Sequence, residues 1–373
     1  MPYRALASLS FALASLALSA PAQDDKLPPV DTVTKADPEA MKALDVVAFA
    51  PFQIGAIRTE DVDRVLGEGR IAWIETPHFC IGSTLKTCKW PDDSVARKEM
   101  QVETARMNKR YAKVKKRPKE FDAWLRLHLF AQRAEEIYAD LADMLGQPDG
   151  KLPEGPYLGM KNKFVLMLFE KKSDLSRYAD RFLGRQVDSS MRHYDDAGRQ
   201  MAVLVTAESD PPYDDAAVHG TMRYLVARAM LEGLHGRIYD MPDWLACGLA
   251  HHYDRTVTTR VVNVHIADNE AIDRDSQHEW EDKIAARAKH ASLLIPFTEL
   301  AGLEELSYYP TLQSWTRAEF LLQRDRQKFG AFLVACVKKP KPESQIQALD
   351  ELFELTAEAF DEEWRAWVLK AYK

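Results

Sequence analysis

Two stretches of the chain carry residue types at chemically useful spacing. Residues 219–223 read His219-Gly220-Thr221-Met222-Arg223, and residues 244–250 read Trp244-Leu245-Ala246-Cys247-Gly248-Leu249-Ala250, with His251 next. On a helix, Cys247 and His251 stand one turn apart on a shared face. A thiolate with two imidazoles is a competent zinc donor set, so His219, Cys247 and His251 form one candidate metal site. Two neighbours oppose it. Position 220, beside His219, is glycine and offers no base, and Arg223 falls one turn after His219. A guanidinium about 4 Å from a zinc dication is repelled by about 8 kcal/mol at an effective dielectric of about 20. Arg223 must therefore swing away, or else it stands as a permanent cation in the metal's place. The plain readings remain open beside these: His219 as a hydrogen-bonded core histidine, Cys247 as a small buried residue or half of a disulfide with Cys336, and His251 and His252 as flanks of a helix end.

These residues need helices to hold them. The pattern predicts one from about Asp214 to Leu234 and a second from about Pro242 to Tyr253, followed by a strand-like TTRVVNVHIA and several amphipathic helices, FLLQRDRQKFGAFLVACVKK and DEEWRAWVLKAY among them. Upstream, RIAWIETPHFCIGS reads as strand material, SVARKEMQVETARMNKRYAKVKKRPKE as a charged, solvated helix broken at Pro118, and FDAWLRLHLFAQRAEEIYADLADMLG as a helix stopped by Gly146. His128 inside that helix reads as a packed residue. KFVLMLFEK and QMAVLVTAE are short apolar strands separated by the helical SDLSRYADRFLG, which makes this half an α/β region. There is no internal repeat, Gly-rich phosphate loop, Gly-x-Ser-x-Gly elbow or Cys-x-x-Cys pair.

The order of these pieces resembles the gluzincin branch of zinc metallopeptidases, in the form of the secreted, peptidase-MA-like proteins of bacteria. In that family a His-Glu-x-x-His helix is followed by a helix opening with Trp-Leu-x-Glu-Gly-x-Ala, then by a helical C-terminal part. WLACGLA is the more specific match, because Trp244, Leu245, Gly248 and Ala250 fall in register. The resemblance implies that His219 is the surviving first ligand, that Gly220 replaces the general base, that Arg223 replaces the second histidine and that Cys247 replaces the third ligand. It implies a small mixed sheet packed on a peptidase-like helix and followed by a mainly helical C-terminal region, an α+β fold. It further implies a degenerate, catalytically inactive member without a cofactor, whose cleft binds a peptide or protein; the alternative is a zinc-dependent hydrolase on His219, Cys247 and His251.

The rest of the chain supplies the setting. An apolar run behind Arg4 ends in Ala20-Pro21-Ala22, a small-x-small pattern suited to signal peptidase, so 1–22 reads as an export leader, with an uncleaved anchor as the other reading. Residues 23–43 read as a flexible linker, 44–213 as an N-terminal α/β region and 214–373 as the helical metallopeptidase-like region. The expected location is the periplasm or the extracellular space. The net charge of −7 and the interspersed basic residues argue against a nucleic-acid surface. Four cysteines in an exported chain, with Cys80 and Cys88 close together in HFCIGSTLKTCKW, point to a local disulfide through a turn at Gly82 and Ser83, or else to two free thiols.

Overall fold

A computed structural model describes residues 26–209, 214–259, 263–264 and 276–372. In chain order the elements are α1 (Pro38–Ala43), β1 (Ala48–Phe49), the small hairpin β2 (Gln53–Ile54) and β3 (Ile57–Arg58), α2 (Thr59–Leu66), β4 (Ala72–Glu75), β5 (Phe79–Ser83), α3 (Ser94–Arg110), α4 (Ala123–Met144), β6 (Phe164–Phe169), α5 (Lys172–Tyr178), β7 (Met191–Asp195) and β8 (Gln200–Thr206). Then come α6 (Asp215–Glu232), α7 (Asp243–Arg255), α8 (Trp280–Ala288), α9 (Phe297–Leu300), α10 (Tyr308–Arg324), α11 (Arg326–Lys338), α12 (Pro342–Phe353) and α13 (Ala357–Ala371).

The architecture is α+β. One mixed sheet has the order β1-β4-β5-β6-β8-β7, with a parallel centre from β5 through β6 to β8 and antiparallel pairs outside it. Every residue of β6 and β8 is buried, because helices cover both faces, which is why these strands read as continuous apolar runs rather than alternating ones. Their side chains still divide by the period of two. Leu166, Leu168, Val203 and Val205 join the main core under α4 and α6, whereas Val165, Met167, Ala202 and Leu204 join a second core with α2 and α5. The edge strand β7 is polar and half-buried throughout, so its sequence, MRHYD, carries little apolar signal.

Helix ends follow local chemistry. Asp122 caps α4 through Leu125 N–H and Asp214 caps α6 through Ala217 N–H, while Gly146, with φ at +67°, turns the chain out of α4. α7 lies between α6 and α10. Gly248 permits the second contact: a Cβ built there would lie 2.4 Å from the Ser314 carbonyl oxygen of α10. The C-terminal helices close over Trp244, which is fully buried and donates from Nε1 to Gln345 Oε1 at 2.8 Å.

Two expectations are corrected by the packing. Residues 26–43, expected as a flexible linker, lie on the body of the fold: Leu27 N–H donates to the Gly69 carbonyl at 2.8 Å, Trp124 Nε1 donates to the Pro28 carbonyl at 3.0 Å, and α1 is helical. Their polar residues are satisfied by one another and by α4. Asp31 accepts from Val33 N–H and Thr34 N–H, each at 2.9 Å, and lies 2.9 Å from His128 Nε2. His128 is accordingly a packed, paired core histidine. The second correction concerns Cys80 and Cys88, which are both free thiols, as are Cys247 and Cys336. Gly82 makes no turn there. It lies within β5 because the Trp73 ring packs over it, and a Cβ would meet Trp73 Cζ3 at 2.3 Å. Cys80 thus faces the second core from β5, while Cys88 lies beyond the strand near α6, with Sγ 4.0 Å from Asp215 Oδ1.

Of the strand-like TTRVVNVHIA, most residues lie outside those described; Thr258, Thr259, Asn263 and Val264 are not in a strand. Among the described residues, no helix is long and apolar enough to cross a membrane.

Candidate functional site

The centre of the molecule is the face that α6 turns toward α3 and α4. Asp215, in the first turn of α6, accepts from Arg126 Nε at 3.2 Å and Nη2 at 3.1 Å, and from Arg133 Nη1 at 3.0 Å. Arg133 turns its other edge to Glu103, with Nε and Nη2 at 2.9 and 2.8 Å from the two carboxylate oxygens. Burial opposes the charge on Asp215, but the two guanidiniums outweigh it and hold its carboxyl below the usual range. A carboxylate at the N-terminus of a helix also meets the positive end of its dipole. Four charges are therefore taken out of water together and matched two against two.

His219 sits one turn further along. It is buried, with Nδ1 3.8 Å from Glu103 Oε1 and its ring edge-on to Phe130. Its Nε2 has no hydrogen-bond partner among the described residues. Burial, together with the positive charges of Arg133 and Arg223, holds His219 well below the ordinary histidine pKa, so it is a neutral imidazole. Arg223 follows on the same stripe of α6. Its guanidinium lies 5.8 Å from the centroid of the Tyr253 ring, its Nε is buried without a partner, and among the described residues it makes no ion pair. Burial lowers its pKa from the usual arginine value, although an arginine remains charged at neutral pH.

Cys247 occupies a different sector. Its Sγ lies 3.7 Å from the Tyr224 hydroxyl, and Tyr224 is the residue after Arg223, about 100° further around α6. One turn along α7, His251 is fully buried, with Nδ1 3.0 Å from Asp254 Oδ2 and its ring 4.6 Å from that of Tyr224. Asn263 Nδ2 donates to the same Asp254 oxygen at 3.1 Å. Burial alone would lower His251, but the Asp254 carboxylate and the Cys247 sulfur raise it to about 9. Burial alone would raise the Cys247 thiol, and the opposing charges of His251 and Arg228 bring it below the ordinary thiol value.

These positions test zinc directly. His219 faces Glu103 of α3, Arg223 lies near the Tyr253 ring of α7, Cys247 faces Tyr224 and His251, and the Cβ direction of Gly220 points at Thr258 Cγ2, 3.0 Å away. Among the described residues, no three His, Cys, Asp or Glu side chains come together as a metal-holding group. The donor set His219, Cys247 and His251 is not assembled, and the residues present do not fit the ion. The structure keeps Cys247 and His251 together, as their spacing predicts, and leaves His219 apart from them. Asp254 extends that spacing and was legible as the third member of a stripe at 247, 251 and 254. Nothing local marked Tyr224, Glu103, Arg133 or Asp215 as neighbours.

No protein-family model matches this chain, and no curated protein matches it at a significant level.

Proposed function

We propose that this chain is an exported, non-hydrolytic binding protein of gluzincin-like layout, a pseudopeptidase that holds a peptide or protein segment without cutting it. The observation that carries the reading is Arg223: a guanidinium one turn after His219, stripped of part of its water and without an ion pair among the described residues, with the charges of Glu136 and Glu103 felt only at longer range. A cation in that position repels a metal dication and attracts an anionic group of a ligand, such as a peptide carboxylate. The glycine at 220 supplies no base, and its Cβ direction is taken up by Thr258. The small-x-small end of the leader-like residues 1–22 supports export, to the periplasm or beyond.

The test uses the purified mature protein equilibrated with zinc, dialysed and assayed for metal, then incubated with denatured casein with and without a chelator. The expected result is no stoichiometric zinc, no chelator-sensitive cleavage, and retention of fluorescent casein peptides that weakens about tenfold in Arg223→Gln, the scale of one charge-assisted hydrogen bond. One equivalent of zinc lost on Cys247→Ala, or chelator-sensitive hydrolysis, overturns the reading.

A further inference from the structure

Basic and acidic residues are interspersed over most of this chain, but residues 109–119 read KRYAKVKKRPK, with seven cations in eleven positions and no acid among them. All seven are exposed, in a chain whose net charge is −7. Arg110 pairs with Asp45, and Lys113 lies over the Tyr111 ring, 5.7 Å from its centroid. Among the described residues, Lys109, Lys115, Lys116, Arg117 and Lys119 make no ion pair with a carboxylate.

A run of like charge repels itself and, left alone, spreads into solvent. Here its backbone is tied down. Thr104 Oγ1 lies 2.8 Å from the Lys116 carbonyl oxygen, Asn108 Nδ2 donates to the Val114 carbonyl at 2.6 Å, and Trp90 Nε1 donates to the Pro118 carbonyl at 2.8 Å. Val114 and Pro118 are buried between the cations. The core therefore takes the valine and the proline, and the charged heads are displayed in water.

The helix that leads into the run adds apolar contact. Val95, Lys98, Val102, Arg106 and Lys109 follow one another on α3 at spacings of three, four, four and three, so they share one stripe. All five are exposed, Val95 at 61% and Val102 at 46%, and the stripe ends where the basic run begins. Exposed valines among cations offer nothing to a nucleic-acid backbone or a sulfated polysaccharide. At a bilayer surface both kinds of side chain are used: the apolar ones enter the headgroup region while the cations meet lipid phosphates.

We propose that residues 109–119 and the outer stripe of α3 form a docking surface for a membrane bearing anionic phospholipids. The contact is peripheral and reversible, since it rests on surface charge and two small apolar side chains. It is independent of any ligand at Arg223.

The purified mature protein is co-sedimented with vesicles of phosphatidylcholine alone and with vesicles of phosphatidylcholine and phosphatidylglycerol in equal parts, each at low and at high salt. It should pellet with the mixed vesicles and not with the neutral ones, and high salt should release it by screening the exposed charges. Each Lys or Arg near an anionic surface is worth about fivefold in partitioning, so Lys115→Gln, Lys116→Gln and Arg117→Gln together should weaken binding at least about tenfold. Val95→Ser with Val102→Ser should weaken it at least about threefold and leave binding to soluble dextran sulfate unchanged. All five positions are exposed, so both variants should keep the parent melting temperature. Failure to pellet with mixed vesicles at low salt overturns the proposal. So does equal binding to both vesicles, the behaviour of an uncleaved apolar leader, or binding unchanged in the triple variant. Vesicle binding indifferent to the two valines, with dextran sulfate or duplex DNA bound more tightly than vesicles, also overturns it and assigns the surface to a soluble polyanion.

Discussion

Arg133 and Asp215 lie 3.0 Å apart through Nη1 and Oδ2, and the other edge of the same guanidinium clamps Glu103, so one side chain on α4 ties α3 to the first turn of α6. Removing one member of a buried ion pair leaves its partner charged and dry, which costs about 3–5 kcal/mol. Asp215→Ala strips Arg126 of its buried carboxylate and leaves Arg133 with Glu103 alone, and should lower the urea midpoint by that scale of stability. A change under about 1 kcal/mol would show that water reaches these groups, as at a surface pair.

Asp31 should set part of the acid response. Burial raises its pKa, but the hydrogen bond and charge of His128, with Thr34 and the Val33 N–H, bring it from 3.8 down to about 2. A group depressed on folding stabilises the native state above its unfolded pKa and loses that contribution as pH falls through the folded value. The contribution is on the order of 2 kcal/mol. Asp31→Asn should therefore be less stable than the unaltered protein at pH 7, with the difference shrinking from about pH 4 down to pH 2. A pH-independent difference would remove titration of Asp31 as the cause.

Gly248→Ala should loosen the α7–α10 contact. Its Cβ would press on the Ser314 carbonyl oxygen at 2.4 Å, and backbone cannot rotate out of the way as a side chain can. Overpacking of this kind costs about 1–3 kcal/mol, despite the better helix propensity of alanine. The melting temperature reads the outcome, and an unchanged or raised value would show that the two helices have room to part.

Cys80 and Cys88 face different layers of the fold, so the intact mass of the purified protein should be the same with and without reductant, and all four cysteines should alkylate after unfolding without reductant. A loss of two hydrogens located to the peptide holding both residues would restore the local bridge.

Much of the architecture was written in periodicity. The helices around Trp124, His219 and Trp244, and the apolar runs 164–169 and 200–206, are strong local patterns, and they became α4, α6, α7, β6 and β8. Where local signals were weak or ambiguous, tertiary packing decided. The polar edge strand β7 is held by pairing to β8, the segment 26–43 is held by Asp31 against His128, and the glycine between Cys80 and Cys88 serves a tryptophan ring rather than a turn.

The candidate site divides in the same way. The sequence by itself determined that Gly220 offers no base, that Arg223 is a cation one turn from His219, and that Cys247 and His251 share a helix face, because residue type and the 3.6-residue repeat are local properties. Only the tertiary structure decided that His219 looks toward Glu103 and Arg133 while Cys247 looks toward Tyr224, and that Asp215 is matched by two arginines from α4. Which sector of one helix meets which neighbour depends on how α4, α6 and α7 are rotated against one another. That rotation is set by burial of their apolar faces across long stretches of chain, and no short motif contains it.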